Sequence, residues 1–355
     1  MWPERTAGAG VTSSRGSTTT AAGQSPGEGK PSLLPADLQP GVADLEHGAV
    51  RLRQIPVEGL PPLPVRESRS RRLPGFRIWR LPRFGYQHIA QTATCYLAVL
   101  ADEAQHNRRL IRCRVQLLAE DPETLASLEQ AARAAGFNPA TSQESYSRSL
   151  LIDLRTDSAD ALLQNLGATA RRHIRAAGKN GFLLKPLTDP ALAATLTAME
   201  RATRARTGGG YALQDWKHWL GAAASHPESV RIAALIDPDA ADEGAGILAV
   251  ALGVSHGDHV EYRAAATVPR HAVKVPLGYG PAWELLRWGH ATGHRWFDFG
   301  GITGDDSPLA GISHFKRRFG GRECRVATEV LLEPQKWIAG LERGIGRLRD
   351  SLRRA

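Results

Sequence analysis

The alternation of apolar and polar positions divides the chain into short strands and helices rather than one long uniform pattern. Phe76 to Leu81, Thr92 to Leu100 and Leu110 to Leu118 alternate or run apolar as strands do, the last with Ile111, Cys113, Val115 and Leu117 on one face. A helix is predicted next. Asp121 suits its N-cap, Pro122 its first position and Glu123 the positive dipole end, with Leu125, Leu128 and Ala132 apolar and Gly136 closing it. Ser149 to Leu154 reads as a strand, and from Ser158 and Asp160 a helix aligns Leu162, Leu166, Ala170, Ile174 and Ala177. Strand Phe182 to Leu187 follows, then a helix opened by Asp189 and Pro190 that buries Leu192, Leu196 and Met199. Asp215 to Ala224 suits a helix, and Val230 to Ile236, Gly246 to Val254 and His259 to Thr267 suit three strands in a meander. Pro281 to Thr292 reads as a helix and Trp296 to Phe299 as a buried strand ending at Gly300 and Gly301. Ile312, Phe315 and Phe319 mark a short helix stopped by Gly320 and Gly321.

This mixture is an α+β pattern, and its order recurs along the chain, which predicts a first domain over 73–156 and a second over 157–332. Residues 1–44 are Gly, Ser, Thr, Ala and Pro with few large apolar groups and are expected to be disordered. Residues 45–72, with Pro61, Pro62 and Pro64, read as a semi-extended linker. Residues 333–355 read as an amphipathic helix whose stripe of Trp337, Ile338, Leu341, Ile345, Leu348 and Leu352 packs back on the first domain. The arginines of that helix also suit contact with an anionic bilayer.

Composition narrows the function classes. A hydrophobic fraction of 42% is enough for two cores, while no apolar run reaches the ~18 residues that cross a bilayer. The opening MWPERTAGAG lacks the apolar segment of a signal peptide, so a cytoplasmic protein is expected, with peripheral contact at the inner membrane face as the alternative. Cys95, Cys113 and Cys324 lack disulfide or metal spacing, and His173, His271, His294 and His314 form no ligand pattern, so no metal is expected. A net charge of +9 favours a polyanionic partner, because the cations recur in clusters: Arg171, Arg172, Arg175 and Lys179 on one helix, and Lys316, Arg317 and Arg318 with Arg322 beyond the glycines. Stabilisation of a helix C-terminus accounts for the first cluster as readily as ligand binding does.

The order DFGGI (Asp298 to Ile302), a turn-rich loop and FKRRFGG (Phe315 to Gly321) resembles the C-terminal signature of the Fem family. These are non-ribosomal peptidyltransferases that move an amino acid from aminoacyl-tRNA onto an amine. Leu150 to Gly181, LLIDLRTDSADALLQNLGATARRHIRAAGKNG, resembles that family's strand, linker and basic helix. The resemblance implies two tandem acetyltransferase-like (GNAT-type) domains, here with no heptad-patterned insertion and hence no long coiled-coil arm. It implies aminoacyl-tRNA as co-substrate with no bound cofactor. The implied acceptor is an amine on a peptidoglycan precursor, a lipid-linked or nucleotide-linked muropeptide, or a small amine of specialised metabolism.

Aminoacyl esters are already activated, so positioning and a donor to the developing oxyanion suffice, without a protein nucleophile or metal. Lys316 is the candidate donor, on a helix held by Phe315 and Phe319, and the resemblance also puts functional weight on it. Tyr211, Tyr262, Asp298, Gly301 and Phe315 are candidate substrate contacts, with core packing the alternative for the tyrosines and loop anchoring for Asp298. Arg171, Arg172, Arg175, Lys179, Arg317, Arg318 and Arg322 are the candidate tRNA contacts. Val268 to Gly280, VPRHAVKVPLGYG, faintly resembles the pyrophosphate loop of acetyltransferases, which keeps acyl-CoA-dependent N-acylation as a rival. A non-catalytic RNA-binding protein of the same fold is the third reading.

Overall fold

Leu110–Leu118 buries nearly every side chain, as a strand does when its sheet is covered on both faces. The computed structural model describes residues 50–85, 90–142, 145–208, 213–269 and 274–352. Its strands are β1 (Val50–Val57), β2 (Leu60–Arg69), β3 (Arg77–Phe84), β4 (Leu110–Leu118), β5 (Asn138–Pro139), β6 (Arg148–Asp153), β7 (Leu183–Pro186), β8 (Val230–Ile236), β9 (Ile247–His256), β10 (His259–Thr267), β11 (Trp296–Gly301), β12 (Arg322–Arg325) and β13 (Ala327–Leu332). Its helices are α1 (Ala90–His106), α2 (Pro122–Ala134), α3 (Ala159–Asn165), α4 (Ala168–Lys179), α5 (Ala193–Thr207), α6 (Trp216–Ser225), the single turn α7 (Glu243–Gly246), α8 (Tyr279–Ala291), α9 (Ala310–Arg317) and α10 (Lys336–Leu352).

Two sheets result, ordered β1-β2-β3-β4-β13-β5 and β12-β6-β11-β10-β9-β8-β7. Each holds one parallel pair among antiparallel neighbours. In the first it is β3 with β4, joined through α1; in the second it is β10 with β11, joined through α8. The same strand, helix and parallel strand therefore lie at the heart of both sheets. Trp79, Val115 and Leu117 lie under Leu97, Leu100, Leu125 and Leu128 in the first core, and Phe297, Phe299 and Val260 under Leu285 and Leu286 in the second.

The halves exchange strands. β6 follows the first half in the chain but lies between β11 and β12, and β13 leaves the second half to pair with β4 along its whole length. The buried Arg114–Glu329 pair ties β13 in place. A boundary at 156/157 follows chain order but not sheet membership.

Several segments differ from the sequence expectation. Thr92–Leu100 belongs to helix α1, not a strand: Ala93, Leu97, Leu100 and Ala104 are buried at helical spacing, a period that the unbroken apolar run conceals. Residues 50–69 form the β1–β2 hairpin rather than a linker. Pro61 and Pro62 are tolerated because they lie at the register shift between β1 and β2, and Pro64 precedes Arg66, where β3 first joins β2. The helix expected from Ser158 to Lys179 breaks at Leu166 and Gly167, where a Cβ on residue 167 would lie 2.4 Å from the Arg318 carbonyl oxygen. Residues 1–44 lie outside the described residues. The C-terminal α10 meets β4 through Ile338, Ala339 and Ile111, with Glu342 held by Arg72 and Arg112.

Candidate active site

The parallel ladder between β10 and β11 lasts three residues, His259–Glu261 against Trp296–Asp298, and then the strands part. β10 continues along β9, while β11 turns toward β6 through an irregularity between Asp298 and Gly301. Gly300 makes that turn at φ 71°, a conformation that glycine adopts without strain.

Charge fills the floor of this fork. Asp298 is fully buried, and its carboxylate accepts from the Gly300 amide at 2.7 Å, the Tyr146 hydroxyl at 3.0 Å, the Ser149 hydroxyl and the Arg83 guanidinium at 3.3 Å. Arg83 also stands 3.0 Å from Glu261 and 2.5 Å from the Tyr146 hydroxyl. It reaches across from the first sheet, where Pro82 interrupts β3, the β3–β4 register shifts, and Arg83 itself takes φ 51°. A non-glycine residue at positive φ is costly and persists where its surroundings fix it. Burial would raise the Glu261 carboxyl, but Arg83 and the His256 hydrogen bond at 2.8 Å hold it well below its usual range.

Lys316 enters from α9. Its ammonium donates to the Gly301 carbonyl at 2.6 Å and is only 8% exposed. Burial pushes it down to about 8, against the pull of Asp298 and Glu261, which favour the cation. The candidate donor is thus a near-buried ammonium held in the fork. Aromatic packing fixes α9: Phe319 stacks on Tyr279 at 5.2 Å, and Phe315 meets Tyr279 edge-on at 5.0 Å. Ser313 ties the preceding loop to the helix by accepting from the Thr303 amide at 2.9 Å.

The other expected contacts divide. Asp298 has no exposed surface and its acceptor sites are filled, so it anchors the fork, and its assignment as a substrate contact is corrected accordingly. Gly301 supplies the carbonyl under Lys316. Tyr262 packs against Phe297 and Phe299, with its hydroxyl raised by burial. Phe315 lies in the core contact between α8 and α9, and Tyr211 lies outside the described residues.

Arg171, Arg172, Arg175 and Lys179 line a shallow depression of about 370 Å³ on α4, with Ala168 and Ala176 as its floor. The start of α4 abuts the end of the Lys316 helix, since the Gly167 amide donates to the Phe319 carbonyl at 2.8 Å. Burial and the charges of Arg172 and Arg318 lower His173, which sets Arg318 beside the α4 cluster. Arg171 caps α3 by donating to the Gln164 and Leu166 carbonyls. Arg317 pairs with Glu323, and Arg322 sits over the Trp296 ring and donates to the Glu120 carbonyl. Arg172, Arg175 and Lys179 are thus left on the open side of α4, with Arg318 on the adjoining turn. Among the described residues, Glu120, Asp258 and His259 bring ligand-type atoms within 4.8 Å of one another, but Arg295 already stands 2.9 Å from Glu120, so the group is an ion-pair cluster at the junction of the sheets.

Sequence reasoning missed Arg83, Tyr146, Ser149, His256 and Glu261. The only local signal was a charged residue inside an apolar strand, LPRFG for Arg83 and HVEYR for Glu261; nothing in one sequence pairs residues more than a hundred positions apart.

Residues 164–317 match the acetyltransferase (GNAT) domain family, a segment that includes both strands of the fork and Lys316. The solved structure of FemX superimposes with a TM-score of 0.67 at 14% identity, covering 85% of this chain and 92% of that one. This is a Fem-like acetyltransferase fold. L-PGS from Bacillus licheniformis shares it more distantly, with a TM-score of 0.50 at 12% identity over 84% of this chain and 90% of that one. No curated protein matches the chain in sequence. Within the acetyltransferase fold, α8 follows β10 and begins at Gly278 without a side-chain cap, yet a Cβ on Gly278 would lie 3.6 Å from the Phe315 ring. An aromatic side chain thus already packs against that helix start.

Proposed function

We propose that this protein is a cytoplasmic aminoacyltransferase of the Fem type, moving an amino acid from aminoacyl-tRNA onto an amine, either on a peptidoglycan-precursor side chain or on a small metabolite. The observation that carries the reading is the near-buried Lys316 ammonium in the β10–β11 fork, on a helix whose end abuts the basic face of α4.

In the reaction the neutral acceptor amine adds to the ester carbonyl, forming a C–N bond as the carbonyl oxygen becomes an oxyanion. Collapse breaks the bond to the ribose oxygen, which leaves with the proton released by the amine. An ammonium has three hydrogens. One of those on Lys316 goes to the Gly301 carbonyl, and the others remain for the developing oxyanion, where a desolvated cation stabilises charge more than an exposed one does. Asp298 and Glu261 favour the charged ammonium, and Arg83, paired with both carboxylates, holds the Glu261 carboxyl well below its usual range.

The basic face of α4 and Arg318 then meet tRNA phosphates. Acyl-CoA would place its pyrophosphate near the start of α8, where Phe315 packs beside Gly278; residues 270–273 of that loop lie outside the described residues. Incubation with charged tRNA, or with acetyl-CoA, and a panel of amines, read by mass spectrometry, separates the donors: product from acetyl-CoA alone would overturn the reading. Affinity for tRNA should fall steeply with salt, and Arg172→Ala with Arg175→Ala should flatten the slope by about one for each phosphate that is no longer neutralised.

A further inference from the structure

Helix α10 turns one side to the body and leaves another uncovered by the described residues. Ile338, Ala339 and Glu342 are buried, and a Cβ on Gly346 would lie 2.6 Å from the Arg72 guanidinium. Trp337, Leu341 and Leu348 instead stand 70%, 51% and 65% exposed. At spacings of four and seven they form one stripe along the helix. Three of the five large apolar side chains exposed among the described residues therefore share a single face, where scattered surface apolar residues would need no explanation. The apolar stripe that looks single in the sequence is divided in the fold into a docked side and a bare one.

The bare stripe has a basic margin. Arg343 and Arg347 are exposed, and Arg343 pairs with the half-buried Glu333 just before the helix. Gly340 and Gly344 lie between the two rows, and among the described residues no atom stands within 4 Å of where a Cβ would be. At the start of the helix, Lys336 adds a further cation, and Gln335 donates to the carbonyl of the exposed Arg108.

We propose that the outer face of α10 is a membrane-contact surface, laying Trp337, Leu341 and Leu348 into the interface of an anionic bilayer with Lys336, Arg343 and Arg347 against its headgroups. A helix with an apolar stripe, a basic margin and a tryptophan at one end matches the chemistry of that interface. A second copy of this chain fits poorly, because a symmetric contact on the stripe would bring the basic margins of two +9 chains together. No helix among the described residues is long and apolar enough to cross a membrane, so the contact is one of lying on the surface. The proposal does not depend on the donor being tRNA, and its readout is separate from transfer.

The test is flotation of the full chain with vesicles of phosphatidylcholine alone and of equimolar phosphatidylcholine and phosphatidylglycerol. The mixed vesicles should carry the protein and the neutral ones should not. Trp337→Ser with Leu341→Ser should lower partitioning at least about tenfold, and Lys336→Gln with Arg347→Gln about fivefold per cation removed. These side chains stand outside the core, so melting temperatures should match wild type, and Leu348→Ser serves if the first pair melts early. Absence of flotation with the anionic vesicles, or equal flotation of wild type and the serine variants, overturns the proposal. So does a dimer in sedimentation equilibrium that the serine variants dissolve while vesicles bind neither form; that result would assign the face to a second copy.

Discussion

Replacing Lys316 with Met should spare or stabilise the fold while abolishing transfer. Burial pushes the ammonium from 10.5 to about 8, and at 1.36 kcal/mol per unit the folded chain disfavours the cation by about 3 kcal/mol. Between pH 8 and 10.5 the unfolded chain keeps a proton that the folded chain has given up, so wild-type stability rises with pH across that window and is flat in this group below it. Met fills a similar volume and removes the penalty. Against this, the Gly301 carbonyl is left without its donor, at a cost of about 1–3 kcal/mol. The net change at pH 7 should lie between zero and a gain of about 2 kcal/mol. Urea unfolding at pH 7 and pH 10 measures it: wild type should gain on the variant as pH rises. Loss of an oxyanion donor costs roughly 100- to 1000-fold in kcat, so turnover should nearly vanish from a protein that unfolds no earlier. Parallel stability curves, or a Met variant that turns over at the wild-type rate, would refute the reasoning.

Three further outcomes follow from the same geometry. The wild-type rate should lose its Lys316-dependent part as pH rises through about 8, whereas Lys316→Arg, although slower, should lack that alkaline limb because guanidinium stays charged. Arg83→Met leaves Asp298 and Glu261 buried without their shared cation and should cost about 3–5 kcal/mol in urea unfolding, with Asp298→Asn in the same chain recovering part of the loss. Gly167→Ala forces a Cβ against the Arg318 carbonyl and should lower stability by about 1–3 kcal/mol, read as an earlier thermal midpoint with a soluble protein.

Much of the second half of the fold is legible because its elements are punctuated. Asp215 and Ser158 cap their helices by accepting backbone amides, and Val230–Ile236 and His259–Thr267 are strands over the residues that the pattern marks. The first half is less so. In α1 the sequence TATCYLAVL has no polar residue large enough to reveal which face is wet, and the prolines of β2 mimic a linker until its free edge is known. β12 and β13 are short strands whose existence depends on partners far away in the chain, β6 and β4. The same limit applies to the site. Lys316 stands out through its motif, but the carboxylates that keep it charged gather through β10, β11 and Arg83 of the other sheet, a convergence that no local pattern contains. Tyr262 shows how little a strand position says by itself, since its ring packs on Phe297 and Phe299 while the residue stays half-buried.

The exchange of β6 and β13 between the sheets also sets an order of events for a chain emerging from a ribosome. One edge of β4 belongs to β13, whose residues lie more than two hundred positions later, so the first sheet stays open until about residue 332 has been made. Arg83 likewise waits for Asp298 before its charge has a buried partner in β11. An incomplete first half exposes an unpaired edge and part of its core, which is the state most prone to aggregate. Nascent chains stalled before Ala327 should therefore be cut readily by protease within residues 50–142, and chains extended past Leu332 should resist; early resistance would show that the first sheet closes without its last strand. The fork around Lys316 accordingly comes into being only after Asp298 and α9 have been made.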